Sequence, residues 1–326
     1  MIPRTCKKLV AVSLSTHFRD CVQVKVTETP RPGPDEYIAG ITPPFDTGFE
    51  AIGEVVSLGA NCNNVQLGTP VGFMQYGAFS EYIAVPSKRI IPLPSLRPEF
   101  VPLLVSGSTA SISLDLMGKL KPGEKVLVSA AAGGTGQFAV QLAKLAGCHV
   151  IGTCSTDSKV EFLKKLGCDR PVNYKRENLA TVLKEEYAGG VDVVYESVGG
   201  DMINTCIKNL AIGGRLIVIG FVSGYQEPSS FATRPTLPLY QILLQKSASI
   251  SGFFLNNHSR IVPKHVAKLS ELCIANKLHS CVDMGFQSSI GNSFKGINSV
   301  FDAVDYLYSS QSIGKVIVDL QEESKL

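Results

Sequence analysis

The chain has 326 residues, a formal net charge of +3, 44% apolar and 18% charged residues and a mean hydropathy of +0.16. That balance excludes a disordered chain, a collagen or a coiled coil, and its small, evenly spread charge excludes an electrostatic nucleic-acid footprint, so nucleic acid is not an expected partner. The length fits two domains, and no apolar run is expected to reach the roughly 18–20 residues of a membrane span.

The opening residues lack an apolar h-region, so no secretory signal is expected. The nine cysteines (Cys6, Cys21, Cys62, Cys148, Cys154, Cys168, Cys206, Cys273 and Cys281) are odd in number and scattered, which predicts reduced thiols. Neither they nor the five histidines show ligand spacing, so no bound metal is expected.

In chain order, residues 53–58, 69–72 and 78–85 alternate between turn residues and predict strands of a small barrel. A helix is predicted over 109–118. Residues 125–130 then predict a buried strand, and 137–146 an apolar helix stopped by Gly147. The strand 149–153 follows, and Ser158 with Glu161 forms a capping box for a helix ending at Gly167. Further strands are predicted at 170–173, 191–195, 215–219 and 248–253, then a helix at 263–275. Strand character returns at 282–284 and 315–319 around a helix at 296–308. Strands alternating with helices imply a parallel sheet, an α/β fold of the doubly wound kind. The expected domains are 105–258 for nucleotide binding and 1–104 completed by 259–326.

The strongest motif is the turn between the strand 125–130 and its helix. Read as (G/A)-x-G-x-x-G, it places Ala131, Gly133 and Gly136 where backbone N–H groups and a helix N-terminus meet a pyrophosphate. The end of the next strand decides which dinucleotide binds, because NAD sites place an acidic residue there. Here Ser155 and Lys159 can donate to a 2′-phosphate, while Asp157 lies a step late and suits a helix cap. A solvated surface lysine is the competing reading of Lys159.

The stretches Ser-Ala-Ala-Ala-Gly-Gly-Thr-Gly-Gln137, Val-Asn-Tyr-Lys175, Tyr-Glu-Ser-Val-Gly-Gly200 and Gly-Gly-Arg-Leu-Ile-Val-Ile-Gly220 resemble the quinone oxidoreductase branch of the medium-chain dehydrogenases. Phe45-Asp-Thr-Gly-Phe-Glu50, Leu104-Val-Ser-Gly-Ser-Thr-Ala110, Gly220-Phe-Val-Ser-Gly-Tyr-Gln226 and Gly252-Phe-Phe-Leu-Asn256 extend the resemblance over nearly the whole chain. It implies a doubly wound parallel (Rossmann) sheet beside a GroES-like β-barrel catalytic domain. It also implies NADPH-dependent reduction of the double bond of lipid-like α,β-unsaturated ketones, with 15-oxo-prostaglandins as the family substrate.

Carried over residue by residue, Gly133, Gly134, Thr135 and Gly136 meet the pyrophosphate, and Ser155, Lys159 and Tyr174 the adenosine phosphate end. Ser197, Ile219, Tyr225, Phe253, Phe254 and Leu255 line the ribose and nicotinamide side, and Ser312, where relatives have Asn, approaches the cofactor. Zinc alcohol dehydrogenases carry Gly-His-Glu where this chain has Gly48-Phe49-Glu50, so the enolate oxygen needs a hydrogen-bond donor, for which Tyr225 is the candidate catalytic residue. The competing reading of Tyr225 is a packing tyrosine with its hydroxyl in water.

Three readings stay open: an enone reductase, an NADPH quinone reductase using the same pocket, and a catalytically weak NADPH-binding protein. The last draws on the segment between Thr27 and Phe49, which is shorter than in relatives and carries Pro30, Pro32, Pro34, Pro43 and Pro44, so a wall of the small barrel is expected to be missing. Ser324-Lys325-Leu326 reads as a peroxisomal address, with the import receptor as a partner. A homodimer is a further partner this reading admits.

Overall fold

The computed structural model describes residues 3–13, 17–29, 45–225, 238–289 and 291–321. The proline-rich stretch 30–44 and the terminal Ser324–Leu326 lie outside the described residues. The chain divides into two compact units, Met1–Val105 with Val282–Leu326, and Ser106–Cys281.

In the first unit β1 (Thr5–Ala11) leads through the short helix α1 (Phe18–Cys21) to β2 (Val22–Glu28). β1 lies between β2 and β3 (Phe45–Asp46), antiparallel to both. This hairpin was not predicted, although Val22, Val24 and Val26 carry the two-residue period of a strand. A second antiparallel sheet has the order β4 (Glu50–Glu54), β5 (Pro70–Met74), β6 (Ile91–Pro92).

Two predicted strands change here. The strand expected at 53–58 ends at Glu54, because Val55 turns to exchange hydrogen bonds with Thr69 and Gly68. The stretch 78–85 makes one isolated bridge, Ser80 with Lys8. The Ser80 hydroxyl donates to the Tyr82 carbonyl at 2.7 Å, a local bond that competes with a continued ladder.

A helical run, Pro98–Gly118, contains the regular segment α2 (Ser108–Ser113) and is long and apolar enough to cross a membrane by composition, contrary to the expectation from sequence. Its most apolar window is 72% buried inside the protein, so that character fills a core.

The second unit then alternates: β7 (Lys125–Val128), α3 (Gly136–Leu145), β8 (His149–Cys154), α4 (Asp157–Lys165), β9 (Arg170–Asn173), α5 (Leu179–Glu186), β10 (Val191–Glu196), α6 (Gly200–Lys208), β11 (Leu210–Val218), α7 (Leu239–Lys246), β12 (Ser249–Gly252) and α8 (Val262–Ile274). The strands form one parallel sheet in the order β12-β11-β10-β7-β8-β9. Its interior is apolar: Val126, Leu127, Val128, Ile151, Val193, Val194, Leu216 and Ile217 are fully buried. Gly147 and Gly167, left-handed at φ +78° and +87°, lie just past α3 and α4, where helix ends were predicted. The cap of α4 differs from the prediction: the Thr156 side chain, not that of Ser158, accepts the Lys159 N–H.

The return to the first unit lies at Val282, later than the expected residue 259. Two buried glutamines on α3 explain the shift. Gln141 binds both N–H and C=O of His279, and Gln137 those of Cys281, at 2.7–2.9 Å, while the His265 ring on α8 lies 2.7 Å from the Ser111 hydroxyl. β13 (Val282–Asp283), α9 (Ser299–Tyr308) and β14 (Lys315–Val316) complete the first unit.

Candidate nucleotide and substrate site

After β9 the chain returns to the other side of β7, so the strand order reverses between β7 and β10, and open α/β sheets bind ligands beyond the carboxyl ends of such strands. The residues singled out in the sequence stand there in a row. Ser155 immediately follows β8, Tyr174 β9, Ser197 β10, Ile219 β11 and Phe253 β12.

The turn after β7 is tighter than the motif suggests. Its left-handed residue is Ala130 (φ +44°), one position before the Ala131 read as the motif's first member. The Ala130 N–H donates to the Thr153 hydroxyl at 3.1 Å and the Ala131 N–H to the Thr153 carbonyl at 2.9 Å, which anchors the turn on β8. A Cβ on Gly136 would lie 2.5 Å from the Ala130 carbonyl oxygen, so only glycine lets α3 begin this close to the turn.

Thr135 faces inward. Its hydroxyl donates to the Ser106 carbonyl at 3.0 Å and lies 2.8 Å from the hydroxyl of fully buried Tyr195, which must therefore donate to it. That hydroxyl has no proton left for a pyrophosphate, and what this turn offers an anion is backbone N–H and the start of α3.

At the carboxyl end of β8, Ser155 and Lys159 are both buried, at 6% and 9% exposure. Burial removes the reading of Lys159 as a solvated surface lysine. Asp157 pairs with Arg176 and accepts from the Asn173 amide at 3.0 Å, so its carboxylate is already engaged. Tyr174 is half exposed, its N–H bonded to the Cys154 carbonyl at 3.0 Å.

Beyond β10 and β11, Ser197, Gly220 and Tyr225 converge. A Cβ on Gly220 would stand 3.4 Å from the Tyr225 hydroxyl and 3.5 Å from the Ser197 carbonyl oxygen. The Tyr225 ring packs edge-on against Phe221 at 4.9 Å, and the residue remains 48% exposed. Phe253 is buried and stacked on His258 at 4.8 Å, Leu255 is buried, and Phe254 is exposed. Ser312 is buried in the other unit.

Sequence reading missed Ser129, Tyr195 and Glu196 as individual actors. The signal was present, since polar side chains at the ends of otherwise apolar strands have to be bonded when buried. Glu196 has no exposed surface, and burial pushes its carboxyl above the usual range while the N–H groups of Val198 and Gly199 and the Ser129 hydroxyl pull it back.

Comparison with known proteins decides the family. Residues 134–271 match the zinc-binding dehydrogenase model and residues 19–95 the alcohol dehydrogenase GroES-like domain. Prostaglandin reductase-3 of Mus musculus is 48% identical over 98% of this chain and 90% of its own length. The chain belongs to the quinone oxidoreductase branch of the medium-chain dehydrogenase/reductase superfamily. It is an oxidoreductase that works with a nicotinamide cofactor.

A probable quinone oxidoreductase of Leishmania amazonensis is 42% identical over 98% of this chain and 99% of its own length. A mycobacterial structure complexed with NADPH superposes with a TM-score of 0.79 at 23% identity, covering 95% of this chain and 99% of that one. The alignment with the mouse relative spans 342 positions, more than the 326 residues of this chain, so that relative has residues with no counterpart here.

Among the described residues, no donors fit the zinc named in the matching family's description. Phe49 stands where the zinc enzymes have histidine, its ring against Tyr76 at 5.3 Å. The Glu50 carboxylate is held by Lys315 and by the Val105 N–H. Among the described residues no group of three or more His, Cys, Asp or Glu is arranged for a metal ion.

Proposed function

We propose that the protein reduces the carbon–carbon double bond of α,β-unsaturated ketones with NADPH, in the manner of a 15-oxo-prostaglandin 13-reductase. The observation that carries this reading is the row of groups following β8 to β12, joined to 48% identity with a prostaglandin reductase over nearly the whole chain.

Ser155, Lys159 and Tyr174 bind the 2′-phosphate. The lysine ammonium and the serine and tyrosine hydroxyls can all donate to a phosphate, and charge-assisted bonds of this kind are short and strong. The backbone of 133–136 and the start of α3 bind the pyrophosphate, and Thr135 acts by its N–H alone. Ser197, Ile219 and Phe253–Leu255 line the nicotinamide side, and Ser312 is the further residue assigned to the cofactor. Bound NADPH supplies the hydride. Tyr225 donates a hydrogen bond to the ketone oxygen as negative charge develops there, an interaction strongest in the transition state. The 42% identity with a probable quinone oxidoreductase supports a second reading in which the same pocket reduces a quinone. Ser324-Lys325-Leu326, where it forms a free carboxy terminus, supports residence in the peroxisome.

The test is loss of nicotinamide absorbance with a medium-chain enone and, separately, with a quinone. Enone turnover is expected. Turnover of quinone alone selects the second reading, and NADPH binding without either selects a binding protein. Lys159→Ala is expected to weaken NADPH more than about tenfold and leave NADH nearly unchanged, because a charge-assisted bond contributes about 1.5–3 kcal/mol. Equal losses for both nucleotides would remove the phosphate assignment.

A further inference from the structure

The last residue of β10 is a buried carboxylate whose hydrogen-bond donors, among the described residues, are all uncharged. The Glu196 Oε1 atom accepts from Val198 N at 2.8 Å, Gly199 N at 3.1 Å and the Ser129 hydroxyl at 3.2 Å, and Oε2 accepts from Gly199 N at 3.1 Å. The Ser129 hydroxyl oxygen in turn accepts Ser197 N at 2.8 Å. Three consecutive N–H groups of the turn after β10 are therefore satisfied by two side chains. A row of N–H groups like this is an anion-binding concavity, and here the anion is the protein's own.

The carbonyls of the same turn face the opposite way and hold the next loop. Ser197 O accepts Val222 N at 3.0 Å, and Val198 O accepts Ser223 N at 3.1 Å and the Ser223 hydroxyl at 2.6 Å. Val222–Gly224 is the tight turn that presents Tyr225, whose own N–H returns to the Val222 carbonyl. The bonds run without a break from Glu196, through the peptide units of 197–199, to the loop that carries the tyrosine.

We infer that Glu196 is a positioning residue for Tyr225: its carboxylate fixes the turn 197–199, and that turn fixes the loop that aims the Tyr225 hydroxyl at the substrate oxygen. The inference rests on the role given to Tyr225 in the proposed reaction. Glu196→Gln replaces an oxygen that accepts Gly199 N with an NH2 that opposes it, so the turn loses its fit without losing side-chain volume.

The first measurement needs no turnover. 3-Fluorotyrosine placed at position 225 alone gives one fluorine resonance, expected to be sharp in the native chain and shifted or broadened in Glu196→Gln. An unchanged resonance overturns the inference. The second measurement is a double-mutant cycle on enone reduction. Glu196→Gln is expected to lower kcat about tenfold or more, because small misplacement of a reacting group is costly, with the KM for NADPH changed less than about twofold. The same change made on Tyr225→Phe is expected to have little further effect. Full additivity overturns the positioning role, whereas an unchanged kcat in Tyr225→Phe alone overturns the role of Tyr225 in the reaction. Ser223→Ala removes the exposed end of the same chain of bonds and gives the same pattern at smaller amplitude if Glu196→Gln fails to fold.

Discussion

Each of the two units has its own physics of cohesion. In Ser106–Cys281 the central strands are sealed on both faces, and Val191, Val193, Val194 and Tyr195 of β10 have no exposed surface. In the other unit β2 and β4 are mostly half-buried or exposed, and named polar pairs bridge distant segments: Lys8 with Asp46, Arg19 with Asp302 and Asp305, and Glu50 with Lys315. A sealed parallel sheet takes its register from apolar area, which is non-directional and tolerant. Short antiparallel sheets with open faces need directional contacts to fix which segments meet.

The sharpest break of this contrast is a truncation in each unit. Leu127→Ala, in the fully buried cluster under the parallel sheet, is expected to cost about 3 kcal/mol of unfolding free energy from lost transfer and an unfilled cavity. Val26→Ala, at 66% exposure on β2, is expected to change it by less than about 0.5 kcal/mol. Denaturant unfolding measures both, and comparable losses would dissolve the distinction.

If polar pairs do the corresponding work in the first unit, Glu50→Gln should be costly where Val26→Ala is not. The side chains of Glu50 and Lys315 are only 11% and 27% exposed, and Glu50 also accepts the Val105 N–H at 3.1 Å. Leaving Lys315 without its anion is expected to cost about 2–3 kcal/mol, discounted from a fully buried pair for the lysine's partial exposure. Glu50→Gln combined with Lys315→Met is expected to recover part of the loss. A double variant no better than Glu50→Gln would mean that packing, not charge, holds this place.

The same difference in physics decides what could be read from the sequence. The strands β7 to β12 were legible because runs such as Val126-Leu127-Val128 signal burial on both faces, and β8 to β12 are each followed by a residue already suspected of binding the cofactor. The first unit was largely illegible. Its β1–β2 hairpin carries three lysines (Lys7, Lys8, Lys25) in fourteen strand residues, and its contacts join positions far apart in the chain, which no local period reveals. At the strand ends, the directions of the hydrogen bonds were not legible. Nothing in Gly-Gly-Thr-Gly says that the Thr135 hydroxyl points at Tyr195 and Ser106.

A smaller effect lies in the turn after β7, where function and apolar packing meet. Ala130 holds a left-handed φ of +44°, a conformation that costs a non-glycine residue about 1–2 kcal/mol. Ala130→Gly relieves that strain and loses some backbone entropy, so a net gain of about 0.5–1 kcal/mol in unfolding free energy is expected. Gly136→Ala has the opposite sign, because its Cβ would meet the Ala130 carbonyl at 2.5 Å and backbone cannot yield cheaply. Melting of the two variants side by side checks the pair of signs.

The smallest effect concerns acid, and it tests whether the sealed sheet is also insensitive to charge. At its β9 edge Arg170 binds Glu177 at 2.6 Å and Glu186 at 2.7 Å, and these bonds hold both carboxyls below their usual value of 4.5. Nearby, burial works to raise the Asp169 carboxyl, but bonds from Lys144 and the Val150 N–H outweigh it and leave it below its usual 3.8. A carboxyl that is more acidic in the folded chain than in the unfolded one stabilises the fold above the unfolded value. That contribution fades as the pH falls from about 4.5 through the lower folded values. All three groups are partly exposed, so the loss should be modest and weaker still in high salt. The urea midpoint is expected to fall between pH 6 and pH 3, with amide exchange rising in Arg170–Asn173 before it rises in Lys125–Val128. In Arg170→Leu the same interval should produce a smaller fall, since Glu177 and Glu186 then titrate alike in both states. An equal fall in the variant would mean that the acid response originates elsewhere, and the edge of the parallel sheet would then be as indifferent to charge as its centre.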